Sequence, residues 1–152
     1  MNISLEHKVA LVTGGSKGIG LAVARAFVRS GAAVAIVARG AEALQAARAS
    51  FEGEGFKVRD YVCDVANASE IEAVFGRVVA DLGRVDILVN NAGTSRAMAF
   101  EAVTDEIWQA DLDLKLFAAI RMSRLAWPGM KQRRWGRIIN VLNTAAKAPP
   151  AA

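Results

Sequence analysis

The apolar residues of this 152-residue chain follow two patterns. Short runs of consecutive apolar residues, typical of strands buried on both faces of a sheet, end at glycine or a polar residue. Between the runs, apolar residues recur every three or four positions, which predicts helices with one buried face. The predicted strands cover residues 8–13, 33–38, 57–63, 85–89 and 137–142.

The predicted helices run from Ile19 to a stop at Gly31, over residues 41–52 and 68–82, and from Thr104 to about Met130. Pro128, near the end of the last helix, predicts a kink or an early end because proline lacks a backbone N–H.

Strands that alternate with helices at this spacing predict an α/β fold: a Rossmann-type, doubly wound parallel sheet with about five strands present. No linker or repeat interrupts the pattern, so residues 1–152 are interpreted as one domain. Ligands in such sheets bind beyond the carboxyl ends of the strands, where the strand order reverses. We therefore expect the functional loops after the first and fourth strands.

The composition excludes several classes of protein. Hydrophobic residues make up 53% of the chain, which excludes a disordered class, and no apolar stretch is long enough to cross a bilayer. With Cys63 as its only cysteine and no signal peptide evident, the chain is expected to be cytoplasmic. The net charge of +4 is uneven, because all fifteen acids lie at or before Asp113.

The turn after the first strand, from Thr13 to Gly20, reads TGGSKGIG. Glycines allow the chain to reverse sharply, let backbone N–H groups approach a phosphate, and let the new helix pack closely on the strand. The N-terminus of that helix offers unpaired N–H donors to a pyrophosphate. The turn predicts a dinucleotide site with the contact residues Gly14, Ser16, Lys17, Gly18, Ile19 and Gly20.

The spacing TGxxxGxG, together with the sequence NNAG at residues 90–93, resembles the short-chain dehydrogenase/reductase family. The segments KVALVT at 8–13 and WGRIIN at 135–140 are similar to the same family, and the resemblance extends over residues 5–143. It implies an oxidoreductase that uses a nicotinamide cofactor on a carbonyl or alcohol substrate. It also implies further cofactor contacts at Asp64, Val65, Asn90, Ala92 and Gly93, with Asp64 binding the adenine.

The end of the second strand indicates which nicotinamide cofactor is bound. An acid at this place binds the ribose 2′-hydroxyl of NAD, and a basic residue pairs with the 2′-phosphate of NADP. Here Arg39 follows the strand, Lys17 lies in the glycine turn, and no acid occurs before Glu42. We therefore predict NADP in preference to NAD, with solvated surface cations as the alternative interpretation.

The catalytic residues that the resemblance implies are only partly matched. The family's helix asparagine falls on Asp113, and its serine falls on Asn143, with Thr144 adjacent. The family's tyrosine and lysine would lie beyond Ala152, and the only tyrosine in the chain, Tyr61, lies in the third predicted strand. Reduction of a carbonyl requires a proton donor whose pKa lies near neutral pH.

Three interpretations follow from this substitution pattern. The chain is a truncated or catalytically impaired oxidoreductase, which the sequence favours, or a non-catalytic nucleotide-binding or regulatory module. In the third interpretation Asn143 and Thr144 serve a changed mechanism, with an amide donor in place of a hydroxyl. The family pairs through its long helix, so a homo-oligomer is also expected.

Two other kinds of site are weighed and disfavoured. A basic cluster around Trp135 would suit nucleic acid, but no RNA-binding motif surrounds it; its members are Lys131, Arg133, Arg134 and Arg137. His7 has no second ligand nearby, so no metal site is expected. The tryptophans are expected in core or interface packing, and Cys63 in the core.

Overall fold

The computed structural model describes residues 4–94 and 98–143. The strands are β1 (Val9–Thr13), β2 (Ala33–Ala38), β3 (Val58–Val62), β4 (Ile87–Asn90) and β5 (Arg137–Asn140). The helices are α1 (Gly18–Arg29), α2 (Ala41–Gly53), α3 (Ala68–Leu82), α4 (Asp105–Leu112) and α5 (Ala118–Gln132). A π-helical turn, Asp113–Phe117, joins α4 to α5, and a short 3-10 turn, Phe100–Ala102, precedes α4.

The five strands form one parallel sheet in the order β3-β2-β1-β4-β5. The chain adds β2 and β3 on one side of β1 and then returns to place β4 on its other side. The order therefore reverses between β1 and β4, which confirms the predicted fold class and the predicted position of the switch point.

The core consists of two apolar layers, one on each face of the sheet. Leu11 and Leu88 face one layer with α3 and α5, whereas Val12 and Val89 face the other with α1 and α2. Neighbouring residues of β1 and β4 thus point to opposite faces, as the two-residue period of a strand requires. Because both faces are covered, these strands read as continuous apolar runs.

The single helix predicted from Thr104 to about Met130 is interrupted in the structure by a π-helical turn, which the apolar period did not predict. The helical path begins at α4, whose first turn is capped by the Thr104 hydroxyl accepting from the N–H of Ile107 at 3.5 Å, but it changes to π geometry before α5. The expectation of an early end at Pro128 is wrong, since α5 continues to Gln132. The buried side chain of Met130, beyond the proline, packs in the core and holds the last turn in place.

The basic cluster around Trp135 is partly used inside the structure. Trp135 packs against the second core layer, and the Lys8 Nζ and the Arg137 guanidinium lie 4.2 and 5.1 Å from its ring centroid. By contrast, Trp108 is 50% exposed and Trp127 is 60% exposed, so neither belongs to the core. Cys63 is buried as expected.

Within residues 4–94 and 98–143, no helix has the length and apolar character that a membrane span requires. The same residues contain no group of three His, Cys, Asp or Glu side chains arranged to hold a metal ion.

A buried carboxylate anchors the amino ends of the strands. Asp86 is fully buried, and its Oδ2 accepts hydrogen bonds from the Val9 N–H at 3.0 Å and Arg84 Nε at 2.7 Å. Arg133, from the turn after α5, lies with its Nε 3.3 Å from Asp86 Oδ1 and donates from Nη2 to the Val85 carbonyl at 2.8 Å. One carboxylate therefore joins β1, β4 and the segment that leads into β5.

Burial by itself raises the pKa of Asp86, but the hydrogen bonds from Arg84 and Val9 and the charges of Arg84 and Arg133 outweigh it. The net pKa of Asp86 lies below its ordinary value. A lowered folded-state pKa stabilises the fold above the unfolded-state pKa, and this stabilisation is lost as the pH falls through the folded-state value.

We expect Asp86→Asn to lower the free energy of unfolding by about 3 kcal/mol at pH 7, because it leaves Arg84 and Arg133 without their buried counter-charge. Urea titrations at several pH values measure this difference, which should narrow below about pH 3.9, where the unfolded-state carboxylate protonates. The control is Glu52→Gln, which removes an exposed ion pair with Arg48 and should cost less than about 1 kcal/mol. Equal losses in the two variants would contradict a special role for Asp86.

Candidate cofactor site

The glycine turn forms an open cradle at the carboxyl end of β1. Gly14 and Gly18 adopt left-handed backbone with φ of 65° and 57°, which lets the chain reverse between β1 and α1. Lys17 is the N-cap of α1, but no side chain caps this helix and its first turn contains no acid. The backbone N–H groups of the first turn are therefore available to an anion, and the helix dipole favours one there.

Close packing explains the last glycine of the turn. A side chain at Gly20 would overlap the carbonyl group of Gly14 and lie 2.5 Å from Nδ2 of Asn91. The start of α1 can thus lie directly against the turn only because this position has no Cβ. This contact fixes the distance between the helix N-terminus and the carboxyl end of the sheet.

A network of hydrogen bonds that sequence reasoning missed joins the turn to the end of β4. The buried Thr13 hydroxyl donates to the Val89 carbonyl at 3.3 Å and accepts from the N–H groups of Asn91 at 3.0 Å and Ala92 at 3.1 Å. In return, Asn91 Nδ2 donates to the carbonyls of Thr13 at 3.1 Å and Gly14 at 3.3 Å. We call this set of bonds the Thr13–Asn91 clamp. One sequence signal points to this clamp: Thr13 lies in the glycine motif of residues 13–20, and Asn91 lies in the NNAG motif of residues 90–93.

Two cations lie beside the cradle. Arg39 follows β2 directly and Lys17 lies in the turn, and both side chains are exposed. Neither forms an ion pair or a side-chain hydrogen bond with another of the residues that the structure describes. Ile19, at the start of α1, exposes 63% of its surface to solvent, which is unusual for an isoleucine beside a sheet and suits a residue that a ligand covers.

The end of β3 leads into a turn held by Asp64. Asp64 Oδ1 accepts from the Ala66 N–H at 3.0 Å, the Asp64 N–H donates to Glu70 Oε2 at 2.8 Å, and Val65 is buried. The predicted adenine contact of Asp64 thus stays a prediction beside an observed structural role. Burial, with smaller contributions from Glu70 and Asp64, raises the pKa of the Cys63 thiol to about 11, so this thiol stays protonated at neutral pH.

The ends of β4 and β5 are joined by an amide pair. Asn90 Nδ2 donates to Asn140 Oδ1 at 2.8 Å and to the Ser123 hydroxyl of α5 at 3.4 Å. Ala92 and Gly93 follow in the loop after β4. The structure therefore brings Asn90, Ala92 and the glycine turn to one edge of the sheet, as predicted.

The predicted catalytic positions are less well assembled. Asp113 begins the π-helical turn, where its carboxylate accepts from Gln109 Nε2 at 3.1 Å and Arg121 Nη2 at 3.4 Å. Arg121 also donates to the Ala66 carbonyl at 3.2 Å, so Asp113 faces the loop between β3 and α3. Asn143 is exposed three residues beyond β5, and Thr144 lies outside the described residues.

Tyr61 is a core residue and not a proton donor at this edge of the sheet. It is buried, and its hydroxyl donates to Asp81 Oδ2 at 2.7 Å. Burial and then the hydrogen bond to Asp81 raise the pKa of Tyr61 well above its ordinary value. The hydroxyl therefore holds its proton at neutral pH.

The Thr13–Asn91 clamp gives a matched pair of variants. Thr13→Val keeps the shape of the side chain but leaves the N–H groups of Asn91 and Ala92 without their acceptor, which should cost about 2 kcal/mol of unfolding free energy. Thr13→Ser keeps the hydroxyl and should cost less. Urea denaturation measures both, and a larger loss in Thr13→Ser than in Thr13→Val would show that the methyl group, not the clamp, stabilises this site.

Comparison with known proteins agrees with the geometry of the site. A protein from Cupriavidus necator named D-beta-hydroxybutyrate dehydrogenase is 41% identical over 140 residues, which cover 92% of this chain and 54% of that protein. D-threitol dehydrogenase from Mycolicibacterium smegmatis is 37% identical, with 93% of this chain and 55% of that protein covered. The chain thus spans about half the length of the curated relatives it matches.

A solved structure extends the similarity to three dimensions. L-sorbose reductase from Gluconobacter frateurii, crystallised with NADPH and L-sorbose, has a TM-score of 0.92 and 39% sequence identity, covering 99% of this chain and 57% of that one. The family profile of the short chain dehydrogenases matches residues 8–152. The glycine turn, the sheet order and these matches together show that the chain belongs to the short-chain dehydrogenase/reductase family of oxidoreductases.

Proposed function

We propose that this chain binds NADP(H) and serves an oxidoreductase that exchanges a hydride between this cofactor and a small carbonyl or alcohol substrate. The observation that carries the proposal is the uncapped N-terminus of α1 at the carboxyl end of β1. Beside it lie Lys17 and Arg39, two exposed cations without an ion pair among residues 4–94 and 98–143. The pyrophosphate fits the helix N-terminus, and a ribose 2′-phosphate fits the guanidinium of Arg39.

The preference for NADP over NAD is supported by charge. No acid follows β2 until Glu42, which lies in the first turn of α2. An acid at the end of this strand would repel a 2′-phosphate, whereas an exposed arginine attracts one. NADPH is present in the L-sorbose reductase structure, which supports the same preference.

The cofactor, when bound, supplies the hydride. The residues of this chain hold it in place: the Thr13–Asn91 clamp fixes the turn against β4, and the Asn90–Asn140 pair aligns the ends of β4 and β5. Asn143, three residues beyond β5, would donate or accept a hydrogen bond with an amide where the family has a hydroxyl.

A second candidate function is a nucleotide-binding or regulatory module without redox turnover. It is favoured by the hydrogen bond from the Tyr61 hydroxyl to Asp81 on α3, which keeps this hydroxyl in the core and away from the glycine turn. Tight NADPH binding without oxidation in the presence of any carbonyl substrate would support this alternative.

We also infer a cytoplasmic homo-oligomer. The buried, protonated Cys63 suits a reducing compartment. Self-association is supported by exposed apolar residues along the path from α4 to α5, which are Trp108, Leu112, Leu116, Ile120 and Trp127.

Arg39→Ala tests the cofactor preference. We expect NADPH binding, measured by fluorescence titration, to weaken about tenfold or more, since a charge-assisted contact to phosphate is worth about 1.5–3 kcal/mol. NADH binding should hardly change, because NADH lacks the 2′-phosphate. The matched control is Arg59→Ala on β3, which removes an exposed cation of the same kind away from the turn.

Equal weakening of NADPH in the Arg39 and Arg59 variants would show that the effect is general electrostatics. Equal affinity of the unaltered chain for NADPH and NADH would contradict the proposal that Arg39 sets a preference for NADP(H).

A further inference from the structure

Residues 64–67, in the loop between β3 and α3, are tied to the rest of the molecule by one polar side chain. Arg121, on α5, donates from Nη1 to the Ala66 carbonyl at 3.2 Å. The other hydrogen bonds of these four residues stay within residues 64–71, in the part of the chain that the structure describes. The position of the loop relative to α5 therefore depends on Arg121 and on the apolar packing of the loop.

The apolar packing involves the same face of α5. Val65 is buried and belongs to the core layer that contains Ala118 and Met122. Ala118, Arg121 and Met122 have the i, i+3, i+4 spacing of residues that share one face of a helix. This face of α5 thus combines core packing with the hydrogen bond to the loop.

The guanidinium of Arg121 is itself held in place. Its Nη2 lies 3.4 Å from Asp113 Oδ1, and its Cζ lies 5.4 Å from the ring centroid of Phe117, both in the π-helical turn. Arg121 and Asp113 are 29% and 28% exposed, so water is partly excluded from the pair. Arg124, three residues further along α5, is exposed and has no ion pair or hydrogen bond with the described residues, which makes it a matched comparison.

The contact at Ala66 bears on the carboxylate of Asp64. The Ala66 N–H donates to Asp64 Oδ1 at 3.0 Å, while the Ala66 carbonyl accepts from Arg121. Asp64 Oδ2 has no hydrogen bond with the residues that the structure describes, so it is available to a donor on a ligand. The orientation of this carboxylate therefore depends on Ala66, and the position of Ala66 depends on Arg121.

We propose that Arg121 is a positioning residue for the adenine end of the cofactor. It acts through two steps: Arg121 fixes Ala66, and Ala66 fixes the carboxylate of Asp64, whose free Oδ2 accepts from the 6-amino group of adenine. The proposal rests on the function proposed above and on the adenine contact predicted for Asp64. Because the same guanidinium binds Asp113, it also joins the adenine side of the site to the π-helical turn.

A cofactor analogue isolates the adenine contact. In reduced nicotinamide hypoxanthine dinucleotide phosphate, a carbonyl oxygen replaces the 6-amino group of adenine and the phosphate groups are unchanged. The analogue cannot donate from this position to Asp64. We therefore expect the full 152-residue chain to bind NADPH about tenfold more tightly than the analogue, as measured by fluorescence titration.

Arg121→Met nearly keeps the length of the side chain but removes its hydrogen bonds. We expect it to weaken NADPH binding about fivefold and to leave the analogue nearly unchanged, so that the preference falls from about tenfold to about twofold. Arg121→Lys keeps the charge and a donor, and should restore part of the preference. The control Arg124→Met removes an exposed cation of the same helix and should keep the full preference.

The ratio of the two affinities separates positioning from a general loss of structure or charge, because those losses weaken both ligands equally. An unchanged preference in folded Arg121→Met, or the same fall in Arg124→Met, would overturn the proposal. Circular dichroism identifies a variant that does not fold. If Arg121→Met unfolds, Arg121→Lys decides, and if both unfold, Arg121 is a structural residue and the proposal fails.

The parent chain separates this proposal from the function on which it rests. Equal binding of NADPH and the analogue would overturn the role of Arg121 and leave the proposed cofactor in place. Binding of neither dinucleotide would overturn the proposed function, and the role of Arg121 with it.

Discussion

The site depends on the way in which β1 and β4 are held together at their carboxyl ends. Thr13 uses one hydroxyl to satisfy three backbone groups of β4 and the following loop, and Asn91 returns two hydrogen bonds to the glycine turn. Without these bonds, buried and partly buried backbone groups at the switch point would lack partners, at a cost of up to about 1–3 kcal/mol each. The glycine turn and the loop after β4 are therefore positioned by the same few bonds.

A second set of polar contacts works at the opposite end of the sheet. Asp86 links β1, β4 and the turn before β5 through its hydrogen bond with Val9 and its ion pair with Arg133. Arg133 belongs to the basic cluster that the sequence suggested as a possible nucleic-acid surface. Trp135 is likewise used in packing, flanked by Lys8 and Arg137. Two cations of the basic cluster, Arg133 and Arg137, thus make contacts inside the fold, which weakens the case for a nucleic-acid partner.

The path from α4 through the π-helical turn to α5 has two halves that differ in burial. Its C-terminal half is buried through Met122, Ala126 and Met130, whereas α4 at its N-terminal end has no buried residue. The change in helical geometry between the halves lets Asp113 bind Arg121 while Lys115 pairs with Asp111. π-helical turns are often found at functional sites.

The sequence alone determined the five strands, the helices and the sheet type, because apolar period and glycine position are local signals that burial on two faces imposes. It also determined the family and the position of the glycine turn at the carboxyl end of β1, because the sharp reversal and the close packing of α1 both require glycine there. It did not reveal the Thr13–Asn91 clamp, the role of Arg133, or the π-helical turn. Each of these joins residues far apart in the chain or departs from ideal helical period, so only the tertiary structure decided which polar side chains meet.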